Sequence, residues 1–271
     1  MKDFKIALQL YSVRDHMEKD IDATLKAVKE MGYDYVEFAG YFDKTGEEIK
    51  ALLDKHNLIC SGVHRNVDLI LNDPEVEIGI LKTIGAKYSA IPWYDVSEYV
   101  DNWDETIEKF KKLGKLLKEN DIDFLYHNHE FEFTKIGDEY LIDKLYREVP
   151  ELNPQFDTCW VRYGGEDPSE YLKKYNGRVS IVHLKDFVCD KIGGGPVYEL
   201  IGQVNTSQQR ADNNFKFRAV GYGMQNWEEI LKACEDVDAT VLVVEQDQSY
   251  DDDSLNQVKL SREYLKKEFN L

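Results

Sequence analysis

A (β/α)8 barrel, the TIM-barrel architecture, is the fold class that the sequence predicts, and three observations carry it. Short apolar runs alternate with amphipathic segments eight times along the chain. The mean repeat is about 34 residues, close to the ~30 of a strand–helix pair in such a barrel. No GxGxxG follows the first apolar run, so a doubly wound dinucleotide-binding sheet lacks its fingerprint.

The elements follow in order. KIALQL (5–10) is a strand, and 20–32 is a helix with Ile21, Leu25 and Val28 on one face and Gly32 at its end. YVEF (35–38) precedes a helix at 45–56. CSGVH (60–64) precedes one at 74–86 that opens on Pro74. YSAIPW (88–93) leads into a long helix whose face is Trp103, Ile107, Phe110, Leu113 and Leu117. DFLYHNH (123–129) pairs with a helix at 138–147, and PQFDT (154–158) with one at 168–175. VSIVHLK (179–185) is followed only later by a helix at 226–236. TVLVVEQD (240–247) and a helix at 254–268 complete the set. No Gly-, Pro- or Ser-rich linker divides the chain, so residues 1–271 read as a single domain.

The one break in the rhythm is 186–225. It contains GGGP (193–196) and two alternating stretches, PVYELIG and FKFRAVG. A connection of that length is functional or disordered as a rule. The period-2 alternation favours an inserted β-hairpin-like lid after the seventh strand.

Composition narrows the function. The 271 residues carry a formal charge of −18 from 52 acidic and 34 basic side chains. Such a surface repels a phosphate backbone, so a nucleic-acid partner is not expected. No apolar run approaches the ~20 residues that span a bilayer, so no membrane partner is expected either. The first residues show no secretory signal, and the four cysteines form no CxxC pair. Reduced thiols and a cytoplasmic location are the expectation. A homo-oligomeric state is left open.

Barrel enzymes place their chemistry at the C-terminal ends of the strands. Those ends read Gln9, Tyr11 and Arg14; Glu37; His64; Trp93 and Tyr94; His127, His129, Glu130 and Glu132; Asp157 and Trp160; His183, Lys185 and Asp186; and Glu245 and Asp247. Four of the six histidines fall there, with only His16 and His56 elsewhere. Each residue alone has an ordinary explanation: a hydrogen-bonded core histidine, or an aspartate capping the next helix. Together, imidazoles and carboxylates on consecutive strands suit one borderline divalent ion such as Mn, Co or Zn. Glu245 and Lys185 end buried runs, where an unpaired charge is costly.

The motifs QLYSVR (9–14), GYDYVEFAGY (32–41), SGVH (61–64), YHNHEFEF (126–133), FDTCWV (156–161), GEDP (165–168), VHLKD (182–186) and VVEQD (243–247) occur in this order. As a set they resemble the sugar phosphate isomerase/epimerase family of xylose-isomerase-like TIM barrels, whose relatives include inosose dehydratases, ketose 3-epimerases and endonuclease IV. The resemblance covers essentially the whole chain. It implies a metal site with ligands from the fifth to eighth strands, and Asp157, His183 and Glu245 match that pattern. On the fifth strand this chain departs from the epimerases, whose early Glu aligns near Tyr126 or His127. Glu132, a histidine of HNH, or no residue would supply the ligand there, and Glu132 is carried in the expected set. VGYG (220–223) departs too, with Tyr222 where relatives place an acidic residue.

The resemblance further implies a small carbohydrate partner and an isomerase, epimerase or lyase (dehydratase) of carbohydrate metabolism. It would act on a sugar, keto-sugar or polyol through an enediolate. Glu245, His129 and Lys185 are the expected catalytic residues, and Gln9, Tyr11, Glu37, His64, His127, Trp160 and Lys185 the expected substrate contacts. Two other classes stand beside it. An endonuclease IV-like phosphodiesterase would need more histidine ligands and a basic surface. A non-catalytic carbohydrate-binding barrel would need no tightly held metal.

Overall fold

Eight parallel strands close on themselves. In the computed structural model, which describes residues 2–192, 210, 213–250 and 252–271, these are β1 (Lys5–Gln9), β2 (Tyr35–Ala39), β3 (Ile59–His64), β4 (Tyr88–Ile91), β5 (Asp123–His127), β6 (Asn153–Asp157), β7 (Ile181–Leu184) and β8 (Val241–Val244). Each pairs with its sequence neighbours, and β1 joins β8 with Lys5 opposite Val241 and Leu8 opposite Val244. The expected (β/α)8 barrel is the observed one.

The outer helices begin and end where the sequence marks them. Asp20 caps Ile21–Glu30 by accepting the Ala23 N–H. Thr45 and Glu48 form a capping box on Gly46–His56. Pro74 opens Pro74–Ile84, and Gly85 closes it in the left-handed conformation. Their apolar faces pack on the outward side chains of the strands, such as Leu8, Val36, Val63, Phe124 and Val244.

Inside the barrel the period-2 alternation of the strands stacks two kinds of layer. The lower is apolar: Ala7, Tyr88, Ala90, Leu125, Ile181, Val241 and Val243. Two residues further along the strands, the inward positions turn polar, and the register aligns them. Gln9 lies opposite Glu37, His127 opposite Gln155, and Asp157 opposite His183. A bulge between Val36 and Glu37 sets Glu37 opposite Gly62. Gly62 has to be glycine, because a Cβ there would sit 2.2 Å from the Tyr88 ring. That ring lies across the barrel floor and reaches Glu37 with its hydroxyl.

Three strands end two or more residues earlier than their apolar runs suggest: β4 at Ile91, β5 at His127 and β8 at Val244. Beyond β5 the chain turns into a short 3-10 segment, Phe131–Phe133. Short helices at Val67–Asn72 and Thr158–Tyr163 fall in what the sequence presents as connections.

The excursion after β7 begins and ends as an antiparallel ladder, Asp186–Val188 against Lys216–Arg218. FKFRAVG supplies the return strand, as the alternation predicts. GGGP and PVYELIG lie outside the described residues. The ladder is anchored by the Asp186 carboxylate, which accepts N–H groups from Phe187, Gly221, Gly223 and Gln225 and the Trp227 indole N–H. A Cβ on Gly223 would meet Asp186 Oδ1 at 2.1 Å, so the VGYG glycines let the backbone wrap this carboxylate. Tyr222 between them is exposed, near Tyr264.

Candidate active site and metal centre

Three buried layers of contact build the site above the apolar plug. Lowest is Glu37, with no solvent exposure. It accepts hydrogen bonds from Gln9 Nε2, Gln155 Nε2 and the Tyr88 hydroxyl. His64 Nε2 and His183 Nε2 each lie 2.9 Å from its Oε1. Burial opposes its charge, but the two imidazoles overcome that and hold Glu37 well below the usual carboxylate range. The His64 and His183 rings run nearly parallel, 5.3 Å apart.

Above Glu37, His127, Asp157, His183 and Glu245 each offer a ligand atom within 4.8 Å of the others, all four buried. His183 Nδ1 is 2.6 Å from Glu245 Oε2. His127 Nε2 lies 3.7 Å from Asp157 Oδ2 and 3.9 Å from Glu245 Oε2. Asp157 divides its work between its two oxygens. Oδ1 caps the following helix by accepting the Cys159 and Trp160 N–H groups at 2.8 and 3.1 Å, which leaves Oδ2 facing the cluster. The helix-cap role and the site role thus coexist in one carboxylate.

Lys185 closes the group from the β7 side. Its Nζ is 2.9 Å from Asp157 Oδ2, 3.1 Å from Glu245 Oε2 and 3.0 Å from Asp247 Oδ1. Those carboxylates outweigh its burial and hold the ammonium charged. Burial works against the Glu245 charge, but Lys185 and His183 keep the carboxylate ionised. Burial lowers His127, and the neighbouring imidazoles and Lys185 lower it further, so it stays neutral. His183 is pushed up to about 10, as Glu37 and Glu245 on either side prevail over burial.

His127, Glu245 and Lys185 reach from this group into the lining of a cavity of about 760 Å³, which also includes His64, His129, Asp247, Tyr11, Arg14, Arg65, Trp93 and Tyr250, while Asp157 and His183 lie buried behind it. His129 sits half-buried on the wall, 5.8 Å from the parallel Phe131 ring and 5.6 Å from Trp160. Trp160 is buried and stacks on Phe215 of the excursion at 5.6 Å.

Most of the sequence-derived set gathers here, but Gln9, Glu37 and Trp160, expected as substrate contacts, are buried outside the cavity lining, and Glu132 lies apart. Gln9 and Glu37 lie in the floor, and Tyr11 on the cavity wall. Glu132 is not among the gathered donors. It is buried beneath the β5 turn, where it accepts the Tyr126 hydroxyl at 2.6 Å and the His129 N–H at 2.7 Å. Tyr99 in turn donates to Tyr126. The chain reverses at 128–133, so alternation no longer says where Glu132 points, and His127 is the β5 residue in the cluster. Gln155 is absent from the sequence-derived set, although the alternation that turns Asp157 inward also turns Gln155 inward. Phe215 and Arg210 reach the cavity from the excursion, and no strand-end rule identifies them.

Burial raises Glu132 to about 8, against the hydrogen bonds from Tyr126 and His129. Its carboxyl thus holds its proton more tightly folded than unfolded. That contribution to stability is complete below the ordinary glutamate pKa and is lost as pH rises through about 8. Glu132→Gln should flatten this part of the stability profile, a change on the order of a few kcal/mol between pH 5 and 9. Denaturant melts of both proteins across that range test it. An unchanged slope in the variant would remove Glu132 as its source.

Among the described residues no helix is long and apolar enough to cross a membrane. The model of the xylose isomerase-like TIM barrel family matches residues 25–268. An inosose dehydratase from Clostridium perfringens is 32% identical over 176 residues, which are 63% of this chain and 56% of that protein. The match thus spans little more than half of the relative. A sugar phosphate isomerase/epimerase from Parabacteroides distasonis superposes with a TM-score of 0.75 at 19% identity, over 98% of this chain and 94% of that one. A D-allulose 3-epimerase from Methylomonas sp. does so with a TM-score of 0.65 at 13% identity, over 98% of both chains. At these identities the structural likeness is one of fold. The family match runs over nearly the whole chain and agrees with the closed eight-stranded barrel, so this chain belongs to the xylose isomerase-like TIM barrel family.

Proposed function

We propose that the chain is a divalent-metal-dependent enzyme that moves a proton at a carbon next to the carbonyl of a sugar, keto-sugar or oxidised polyol, as an isomerase, epimerase or dehydratase does. One observation carries this reading: the buried convergence of His127, Asp157, His183 and Glu245, of which His127 and Glu245 reach the cavity lining. The relative named as inosose dehydratase supports the substrate class.

The donors fit a borderline divalent ion such as Mn, Co or Zn. Two imidazoles and two carboxylates match its preferences. His127 Nδ1 has no hydrogen-bond partner among the described residues, and Asp157 Oδ2, though beside Lys185, has no aligned hydrogen bond. In this reading Asp157, His183 and Glu245 hold the ion, with His127 taking the β5 position in place of Glu132. When bound, the ion supplies Lewis-acid polarisation of the carbonyl.

The remaining steps belong to the chain's own groups. Glu245, ionised at neutral pH, accepts the α-proton. The Lys185 ammonium faces the negative charge that develops on the substrate oxygens, in a pocket where burial strengthens the interaction. His129, kept neutral by burial and by the Lys185 charge, stands on the wall as the second proton-transfer group. Trp160 and the excursion aromatics shield the reacting carbon from bulk water.

The test is solvent exchange. Incubation of the Mn-loaded protein in D₂O with keto-sugars and an inosose, followed by NMR, should show loss of the α-proton signal on any substrate that is converted. Conversion without α-deuteration would exclude enolisation.

A further inference from the structure

Only four aromatic side chains stand exposed among the described residues, and three of them line this one cavity. Tyr11 is 42% exposed, Trp93 47% and Tyr250 44%. The fourth, Tyr222, lies outside the cavity lining. Other aromatics near the site are already satisfied: Trp160, Phe215 and Phe217 pack on one another in a buried cluster under the excursion. Tyr11, Trp93 and Tyr250 thus present apolar ring surface that the fold leaves uncovered.

Two of these rings are held in place in advance. The Arg14 guanidinium lies 4.0 Å from the Tyr11 ring centre, and its Nη1 donates to the carbonyls of Tyr11 and Asp247. The Tyr250 hydroxyl accepts the Phe217 N–H of the return strand at 3.1 Å. Fixed aromatic surfaces lose little freedom when a ligand covers them. The cavity, at about 760 Å³, lies well up the ~300–1,000 Å³ range of pockets that take drug-sized ligands. That is far more room than one six-membered sugar ring fills. Its lining joins His64, His127, Lys185 and Glu245 to these three rings, with Arg14, Arg65, Asn66 and Gln248 beside them.

We propose that Tyr11, Trp93 and Tyr250 form a stacking subsite for a second ring joined to the reacting sugar, so that the substrate class is a glycoside rather than a free monosaccharide. This rests on the reading that the end nearest the cluster holds a sugar. The recognising chemistry is an apolar ring face, which either an aromatic aglycone or a second pyranose presents.

Isothermal titration of the Mn-loaded protein with methyl β-D-glucoside, phenyl β-D-glucoside and cellobiose tests it. Phenyl glucoside or cellobiose should bind about tenfold or more tightly than the methyl glycoside, the scale of one aromatic stacking contact. Preference for phenyl glucoside alone assigns an aromatic aglycone, and for cellobiose alone a second sugar. Trp93→Ala, or Tyr11→Ala as the second variant, should erase that advantage. Equal affinity for the three, no detectable binding of any, or an advantage that survives both variants would overturn the subsite. So would a dimer, by sedimentation, that shields Trp93 from a fluorescence quencher, because a second copy would then be what covers the rim. A protein that shows the ring preference but never exchanges an α-proton keeps the subsite and loses the proposed reaction. The reverse outcome loses the subsite alone.

Discussion

Glu245→Gln should exchange the α-proton of a converted substrate about 10²–10⁴-fold more slowly than the unaltered protein, the range that a positioned general base supplies. The substitution keeps the shape of the side chain. Its amide oxygen can still accept from His183, which meets Glu245 Oε2 at 2.6 Å, and from Lys185 at 3.1 Å. What it removes is the carboxylate that can take a proton and half of the negative charge that Asp157 and Glu245 bring to the cluster. The barrel should survive, because β8 is held by its ladder to β1 and β7 and not by this side chain. NMR exchange rates read the first effect, and thermal melting by circular dichroism reads the second. A variant that exchanges at the normal rate would transfer the base role to another group, with His129 the next in reach of the cavity.

Glu37→Ala should cause the largest loss of stability in the barrel interior. The side chain accepts from Gln9, Gln155 and Tyr88 and faces His64 and His183. Truncation leaves these buried donors without their shared acceptor, and one of them, His183, is an imidazole that Glu37 helps to keep charged. Removing one partner of a buried charged network costs about 3–5 kcal/mol. For a domain of this size that is a fall in melting temperature of roughly 10 °C or more. Its pH dependence has the opposite sense to that of Glu132. The Glu37 carboxyl is held below its ordinary range in the folded state, so its contribution is present above that range and is lost as the pH falls through the lowered value. Acid melts of the Ala variant should therefore be flatter than those of the unaltered protein at the low end. Unchanged melting in Glu37→Ala would mean that the floor network contributes little and that the apolar plug alone holds the barrel.

The barrel was legible because its strands and helices obey separate periods, and caps such as Asp20, Thr45 and Pro74 mark where one gives way to the other. The gathering of polar groups was legible for the same reason. Once a strand's inward face is set by Ala7 or Val243, the position two residues on is set as well, which places Gln9 and Glu245. This logic stops where the chain leaves the strand. Glu132 lies beyond the turn at 128–133, and its burial under Tyr126 depends on a tertiary contact that no local pattern encodes. Asp157 reads as a helix cap or as a ligand, and sequence cannot say that one carboxylate does the first with Oδ1 while presenting Oδ2 to the cluster. Phe215 and Arg210 reach the cavity from an excursion whose described return is held by the Asp186 anchor, a carboxylate that gathers backbone N–H groups from residues up to 39 positions away in sequence. Lys185 is intermediate: its place after VHL signals burial, but its contacts with Asp157, Glu245 and Asp247 need the closed barrel to bring β6, β7 and β8 together.

Metal content measures the central claim most directly. Protein purified without chelator, then titrated with Mn²⁺, Co²⁺ and Zn²⁺ and read by elemental analysis, should hold one divalent ion per chain. Asp157→Ala should hold none, because it removes the oxygen that faces His127 and Lys185 in the cluster. Absence of a bound ion before and after exposure to all three metals, or an Asp157→Ala protein that retains one ion per chain, would contradict the account.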